Sequence, residues 1–147
     1  MIIREAIYSR LWDLASHSAN FTTASRRLRH WADVAPSEQP ALFMSEKGNT
    51  AATHQGGVNV PVVWTLHADF YIYVHTSDPY SAPAILLNPL IDALELALAP
   101  DPITGKQDLG IGDMVRHVRV SGNIDTAEGV LGDQELAIIP VEILCVG

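Results

Sequence analysis

The stretch from Val62 to Val74 constrains this chain more than any other, because Leu66, Ala68, Phe70, Ile72 and Val74 alternate with His67, Asp69, Tyr71, Tyr73 and His75. A period of two sends successive side chains to opposite faces of a strand. One face is then apolar and the other semi-polar, as in a sheet covered on one side only, so another part of the chain must supply the cover.

Two segments have the spacing to do so. Ile3, Ile7, Leu11 and Leu14, with Ala6 and Ala15 alongside, recur every three or four residues and predict a helix from about Ile2 to Ser16. Arg4, Glu5, Ser9 and Asp13 then face largely to solvent. Leu87, Ile91, Leu94 and Leu98 predict a second helix from about Ser81 to Leu98, with Pro83 in its first turn and Pro100 and Pro102 ending it.

The remaining elements are shorter. Phe21 to Trp31, rich in threonine with aromatic ends, reads as a strand, and Ala41 to Ser45 as a short one after the punctuating Pro36 and Pro40. Glu46 to Val60 lacks periodicity and reads as a long polar loop, a candidate contact arm; Asp101 to Asp113 reads as a second loop. Met114 to Ile124 is a predicted strand, Gly129 to Asp133 a turn, and Glu135 to Val146 a final apolar strand. Pro140 has no N–H to give to a ladder, which predicts an edge or a bulge there. This order predicts an α+β fold, a mainly antiparallel sheet of about five strands with two helices packed on one face, as a single domain over residues 1–147.

Composition narrows the function. A net charge of -8 argues against a binder of nucleic-acid backbones, which needs a Lys/Arg excess to displace counterions. The start carries charges within its first turns, so no export signal is expected. The longest apolar-rich run, Ala82 to Pro100, is broken by Asn88, Pro89, Asp92 and Glu95, so no membrane association is expected. A single cysteine, Cys145, excludes an internal disulfide and fits a reducing cytoplasm.

Catalytic signatures are weak throughout. His67, Asp69 and His75 share a strand face and form the best metal-ligand set, yet neither an HExxH pattern nor paired cysteines frames a site, so no metal or other cofactor is expected. There is no G-x-S-x-G elbow, and Cys145 reads as core filler. The carboxylates of Glu38, Glu46, Asp69, Asp92, Glu95 and Glu142 have no spacing that fixes an acid–base pair. Gly56-Gly57 and Gly110-Ile-Gly112 enter predicted strands, not helices, so neither forms a phosphate loop. The chain is therefore expected not to be an enzyme. Arg26, Arg27, Arg29 and His30 form the only basic cluster, either a grip on an acidic partner or a solvated face. Trp64, Tyr71 and Tyr73 form an aromatic stripe suited to an interface or to burial under a loop.

Several segments in order resemble the tail terminator, or tail completion, proteins of long-tailed bacteriophages. They are Ser25-Arg-Arg-Leu-Arg-His-Trp-Ala-Asp-Val34, Pro40-Ala-Leu-Phe43, Trp64 to Val74, Leu86 to Leu94, Leu98-Ala-Pro-Asp-Pro-Ile-Thr-Gly105 and Glu128-Gly-Val-Leu-Gly-Asp133. The resemblance implies an α+β subunit of a six-membered ring at the head-proximal end of the virion tail, assembled in the bacterial host cytoplasm. It implies a ring that caps the tail tube, stops its polymerisation and meets the head completion proteins, with DNA passing through the lumen without specific binding. An excess of Asp and Glu in such a lumen would repel phosphate and let a duplex slide.

The family provides no catalytic residues, and the expected contacts rest on sequence character alone: Arg26, Arg27, Arg29, Glu46, Lys47, Asn49, His54, Asp101, Thr104, Lys106 and Asp108. The expected mechanism is head-to-tail self-association that closes on itself. The competing readings are a tube subunit or another head-tail joining protein, a small metal- or ligand-binding domain on the His67 face, and a phosphate-binding module on the arginine cluster.

Overall fold

The computed structural model describes residues 2–52 and 62–147. In chain order the elements are helix α1 (Arg4–Ser16), strands β1 (Thr23–Ser25), β2 (Ala41–Ala51) and β3 (Val63–His75), helix α2 (Ala84–Ala97), and strands β4 (Val115–Val120), β5 (Asp125–Leu131) and β6 (Gln134–Val146). The fold is α+β, with six strands in five columns ordered β1-β2-β3-β6-β4, and β5 also pairing with β6. All pairings are antiparallel except β1 with β2.

The alternation in β3 sorts the molecule as its sequence requires. Leu66, Ala68, Phe70, Ile72 and Val74 are buried with Ala137, Ile139, Val141, Ile143 and Cys145 of β6, under Ile7, Leu11 and Ala15 of α1 and Leu87, Ile91 and Leu94 of α2. Both helices therefore cover one face. Tyr8 also turns inward, and its hydroxyl donates to the His67 carbonyl at 3.2 Å, tying α1 to β3. Helix α1 begins two residues later than its spacing predicts because Ile2 is buried while Ile3 is extended and half exposed.

The opposite face carries a smaller cluster of Val34, Ala41, Phe43 and Tyr73, with Trp31, Tyr71 and Leu136 against it. It explains why the strand predicted from Phe21 to Trp31 shrinks to Thr23–Ser25. Beyond Ser25 the chain leaves the sheet and folds over its outer face, with short 3-10 turns at Trp31–Asp33 and Pro36–Glu38. Arg29 locks this strap: its guanidinium donates to Glu38 at 2.7 Å and to the Asp33 carbonyl at 2.7 Å, while the Tyr73 hydroxyl donates to the Arg29 carbonyl at 2.7 Å. Burial pushes the Tyr73 phenol up to about 12, so it remains a donor at any physiological pH.

Three further boundaries differ from expectation. The predicted loop from Glu46 to Val60 is strand through Ala51, because Glu46–Ala51 pairs with Trp64–Ala68 across a register shift between Glu46 and Asn49. Its polar side chains hid it: the pairing runs past the end of the apolar core, so no alternation was needed. The predicted turn from Gly129 to Asp133 contracts to Gly132 and Asp133, with Gly132 at φ +70, since the two-residue connection between β5 and β6 takes a positive φ that glycine adopts freely. The strand predicted from Met114 to Ile124 is confined to Val115–Val120, and the chain crosses from there to β5.

Strand β6 is central, not an edge, despite Pro140. Opposite β3 the register runs unbroken through Pro140 and Asp69. On the other side β4 ends opposite Val141 and β5 begins opposite Ile138, so Pro140 falls at the gap between them. Its carbonyl accepts from Ser121 at 3.0 Å, which places its nitrogen on that same side, where no ladder partner is waiting.

Candidate functional site

The basic cluster is largely spent within the molecule. Arg26 bridges Glu5 of α1 and Glu46 of β2, the latter at 2.8 Å. The Glu5 carboxyl is held below its ordinary range by the hydrogen bond from Arg26. Arg29 clamps the strap and holds the Glu38 carboxyl below its ordinary range through their hydrogen bond. Arg27 and His30 are exposed, and no ion pair holds Arg27 among the described residues. Of the predicted arginine contacts, Arg27 alone has its charge free for a partner.

Glu46, Lys47 and Asn49 stand on β2, not on a loop. Lys47 lies 3.6 Å from Asp69, and Asn49 accepts from Arg4 at 2.5 Å and donates to Tyr8 at 3.3 Å. His54 lies outside the described residues. Their polar character, which reads as a contact arm in sequence, largely fastens β2 to α1 and β3.

The Asp101–Asp113 loop is built by its own side chains. One Asp101 carboxylate oxygen accepts from the Ile103 and Thr104 amides at 2.7 and 3.1 Å, and Gly105 at φ +68 completes the turn. Thr104 Oγ1 accepts from the Lys106 amide at 3.4 Å, and Asp108 accepts from the Gly110 amide at 2.9 Å. Asp101, Thr104 and Lys106 are exposed at this tip, next to an Ile103 that is 93% exposed.

His67 and Asp69 lie near each other on the outer face, but His75 is eight residues from His67, about 26 Å along an extended strand. Among the described residues no three His, Cys, Asp or Glu side chains gather where an ion could be held. Asp69 faces Lys47, and Glu142 pairs with Arg119 at 2.5 Å. Burial raises the Glu142 carboxyl, but hydrogen bonds from Arg119 and Ser121 outweigh it, so its net position is below the ordinary range. Cys145 is fully buried and its thiol is pushed up to about 11 by desolvation, which disfavours the reactive thiolate.

Sequence reasoning missed two apolar surfaces. The first is the outer side of α2, where Ile85 and Leu96 are 66% and 77% exposed and Leu86 is 47% exposed. The signal was present: Ala84 to Ala97 is apolar around most of its circumference, more than one sheet face can cover. The second is a groove of about 380 Å³ on the outer sheet face, between the strap (Leu28, Trp31) and the sheet (Tyr71, Tyr73, Leu136, Ile138). Tyr71 and Tyr73 thus share this face as their alternation requires, while Trp64 lies on the helix side with the Arg4 guanidinium 4.7 Å above its ring. A smaller cavity of about 230 Å³ lies between Pro40, Val74, Leu86 and Leu90.

Among the described residues no helix is long and apolar enough to cross a membrane. No family model matches the chain, and no curated protein matches it. A solved structure whose printed name states no activity or partner aligns over 98% of this chain and 92% of its own at 17% identity, with a TM-score of 0.42. A likeness that weak carries no argument about function.

Proposed function

We propose that this chain is a structural virion subunit of the tail-terminator kind, which assembles head to tail into a ring, caps the tail tube, stops its growth and offers a surface to the head completion protein. The observation that carries this reading is the exposed apolar length of α2, since large apolar side chains gathered on one element of a folded domain mark a surface that another protein covers. Supporting it is the ordered resemblance of segments from Ser25 to Asp133 to that family.

In this reading the rigid two-layer body is the ring's building block, and the tip formed by Asp101, Thr104 and Lys106 reaches toward tube or connector. DNA passes the lumen unbound, in keeping with the net charge of -8. The protein acts by binding, without cofactor or catalysis, at the head-proximal end of the tail. Purified protein added to growing tube subunits should shorten the tubes in proportion to its amount, as measured by electron microscopy. An unchanged length distribution at a molar excess would remove the reading.

A further inference from the structure

The two apolar surfaces lie on opposite faces of one sheet. Helix α2 packs over the Phe70 and Ile139 side, and the groove is floored by Tyr71, Tyr73, Leu136 and Ile138 on the other. They cannot meet within one chain, yet one is a convex apolar ridge and the other an apolar groove.

At 100° per residue, Ile85, Pro89 and Leu96 fall within about 40° of one another, opposite the buried Leu87 and Leu94. They make a ridge about 16 Å long from Ile85 to Leu96. Asp92 borders the ridge and Glu95 lies about 100° round the helix from its centre; both are exposed and neither has an ion pair among the described residues. The groove has an apolar floor, with the half-exposed Leu28 and the exposed His30 in its lining, and Leu28 is preceded in the chain by Arg27, which is exposed and outside any ion pair among the described residues.

We infer that the α2 ridge of one copy seats in the Leu28–Trp31–Ile138 groove of the next, with Asp92 and Glu95 meeting Arg27. A second copy of this chain is the occupant on the ground of that charge complementarity, carboxylates beside the ridge without an ion pair among the described residues and a free arginine next in the chain to the groove's Leu28, and on the proposed assembly function. An interface that joins two different patches is heterologous, so each added copy leaves the same ridge and groove open until the rotation closes. It also gives the strap a purpose, since Arg29 and Tyr73 hold the groove's wall in place before any partner arrives.

The test uses charge reversal at exposed positions, which spares the fold. Asp92→Lys and Arg27→Glu should each raise the concentration for half-assembly about tenfold, read by light scattering. A one-to-one mixture of the two variants should recover assembly, because the reversed ridge of one variant then meets the reversed groove of the other, and unaltered ridges meet unaltered grooves. Ile85→Glu and Leu28→Glu should block assembly from either side while melting like the wild type. Single variants that assemble like the wild type, a mixture no better than its components, or a wild type that stays monomeric at every concentration would each overturn the interface. Tube shortening is scored in parallel: a protein that shortens tubes although these variants assemble normally keeps the proposed function and loses only this interface.

Discussion

Leu94 and Leu96 are two residues apart on α2, yet they answer different questions. Leu94 is fully buried beneath the helix and Leu96 is 77% exposed on the ridge. Full burial of a leucine side chain is worth about 1.5–3 kcal/mol, so covering the exposed part of Leu96 in an assembly is worth about 1.2–2.3 kcal/mol. Leu96→Gln preserves size and helix propensity. It should leave monomer stability within about 0.5 kcal/mol of the wild type and weaken each intersubunit contact roughly seven- to fifty-fold. Leu94→Ala should instead cost about 2–5 kcal/mol of monomer stability through the cavity it leaves. Urea denaturation of dilute protein measures the first quantity and concentration-dependent light scattering the second. The reasoning fails if Leu96→Gln destabilises the monomer as Leu94→Ala does, or if it leaves assembly untouched.

Three further outcomes follow from the geometry. Tyr73→Phe removes the hydrogen bond to the Arg29 carbonyl and should cost about 1 kcal/mol, lowering the melting temperature by roughly 2–4 °C; no shift would mean that the strap is held without it. The folded Glu142 carboxyl lies below its ordinary range, so its contribution is complete above that range and is lost as pH falls through the folded value. Melting temperature should therefore fall on acidification from about pH 6 to about pH 3, and less steeply in Arg119→Ala; equal slopes would exclude the pair as a source. Cys145, buried with its thiol raised, should react with a thiol reagent only on unfolding, and prompt labelling of native protein would contradict the packing of β6.

How much of this was legible in the sequence depended on where apolar periodicity was present. The faces of β3 and the buried stripe of α2 followed from spacing, because each must bury a stripe against the same sheet; on α1 the spacing found Ile7, Leu11 and Ala15 but placed Ile3 inward, where it is half exposed, and left out the buried Tyr8. The outer half of β2 did not, since Glu46–Ala51 is held by backbone pairing and by Arg4 and Arg26, which leave no periodic trace. Pro140 was misread as an edge signal because a gap between two strands on one side of a central strand satisfies a missing N–H as well as an edge does. The arginine cluster reads in sequence as either a grip on an acidic partner or a solvated face, yet Arg26 and Arg29 find carboxylates from Glu5, Glu46 and Glu38, distant enough in sequence to be invisible to local charge patterning. The apolar excess of α2 was visible residue by residue, but only the structure shows that among the described residues nothing packs over Ile85 and Leu96.

The central claim is closed self-assembly, and the most direct measurement is the native mass of the purified protein by light scattering over a wide concentration range, with the same fractions imaged by negative-stain electron microscopy. The account predicts one discrete mass above a threshold concentration and annular particles of uniform diameter. Protein that stays monomeric at every concentration, or that grows into open filaments of unlimited length, would contradict it.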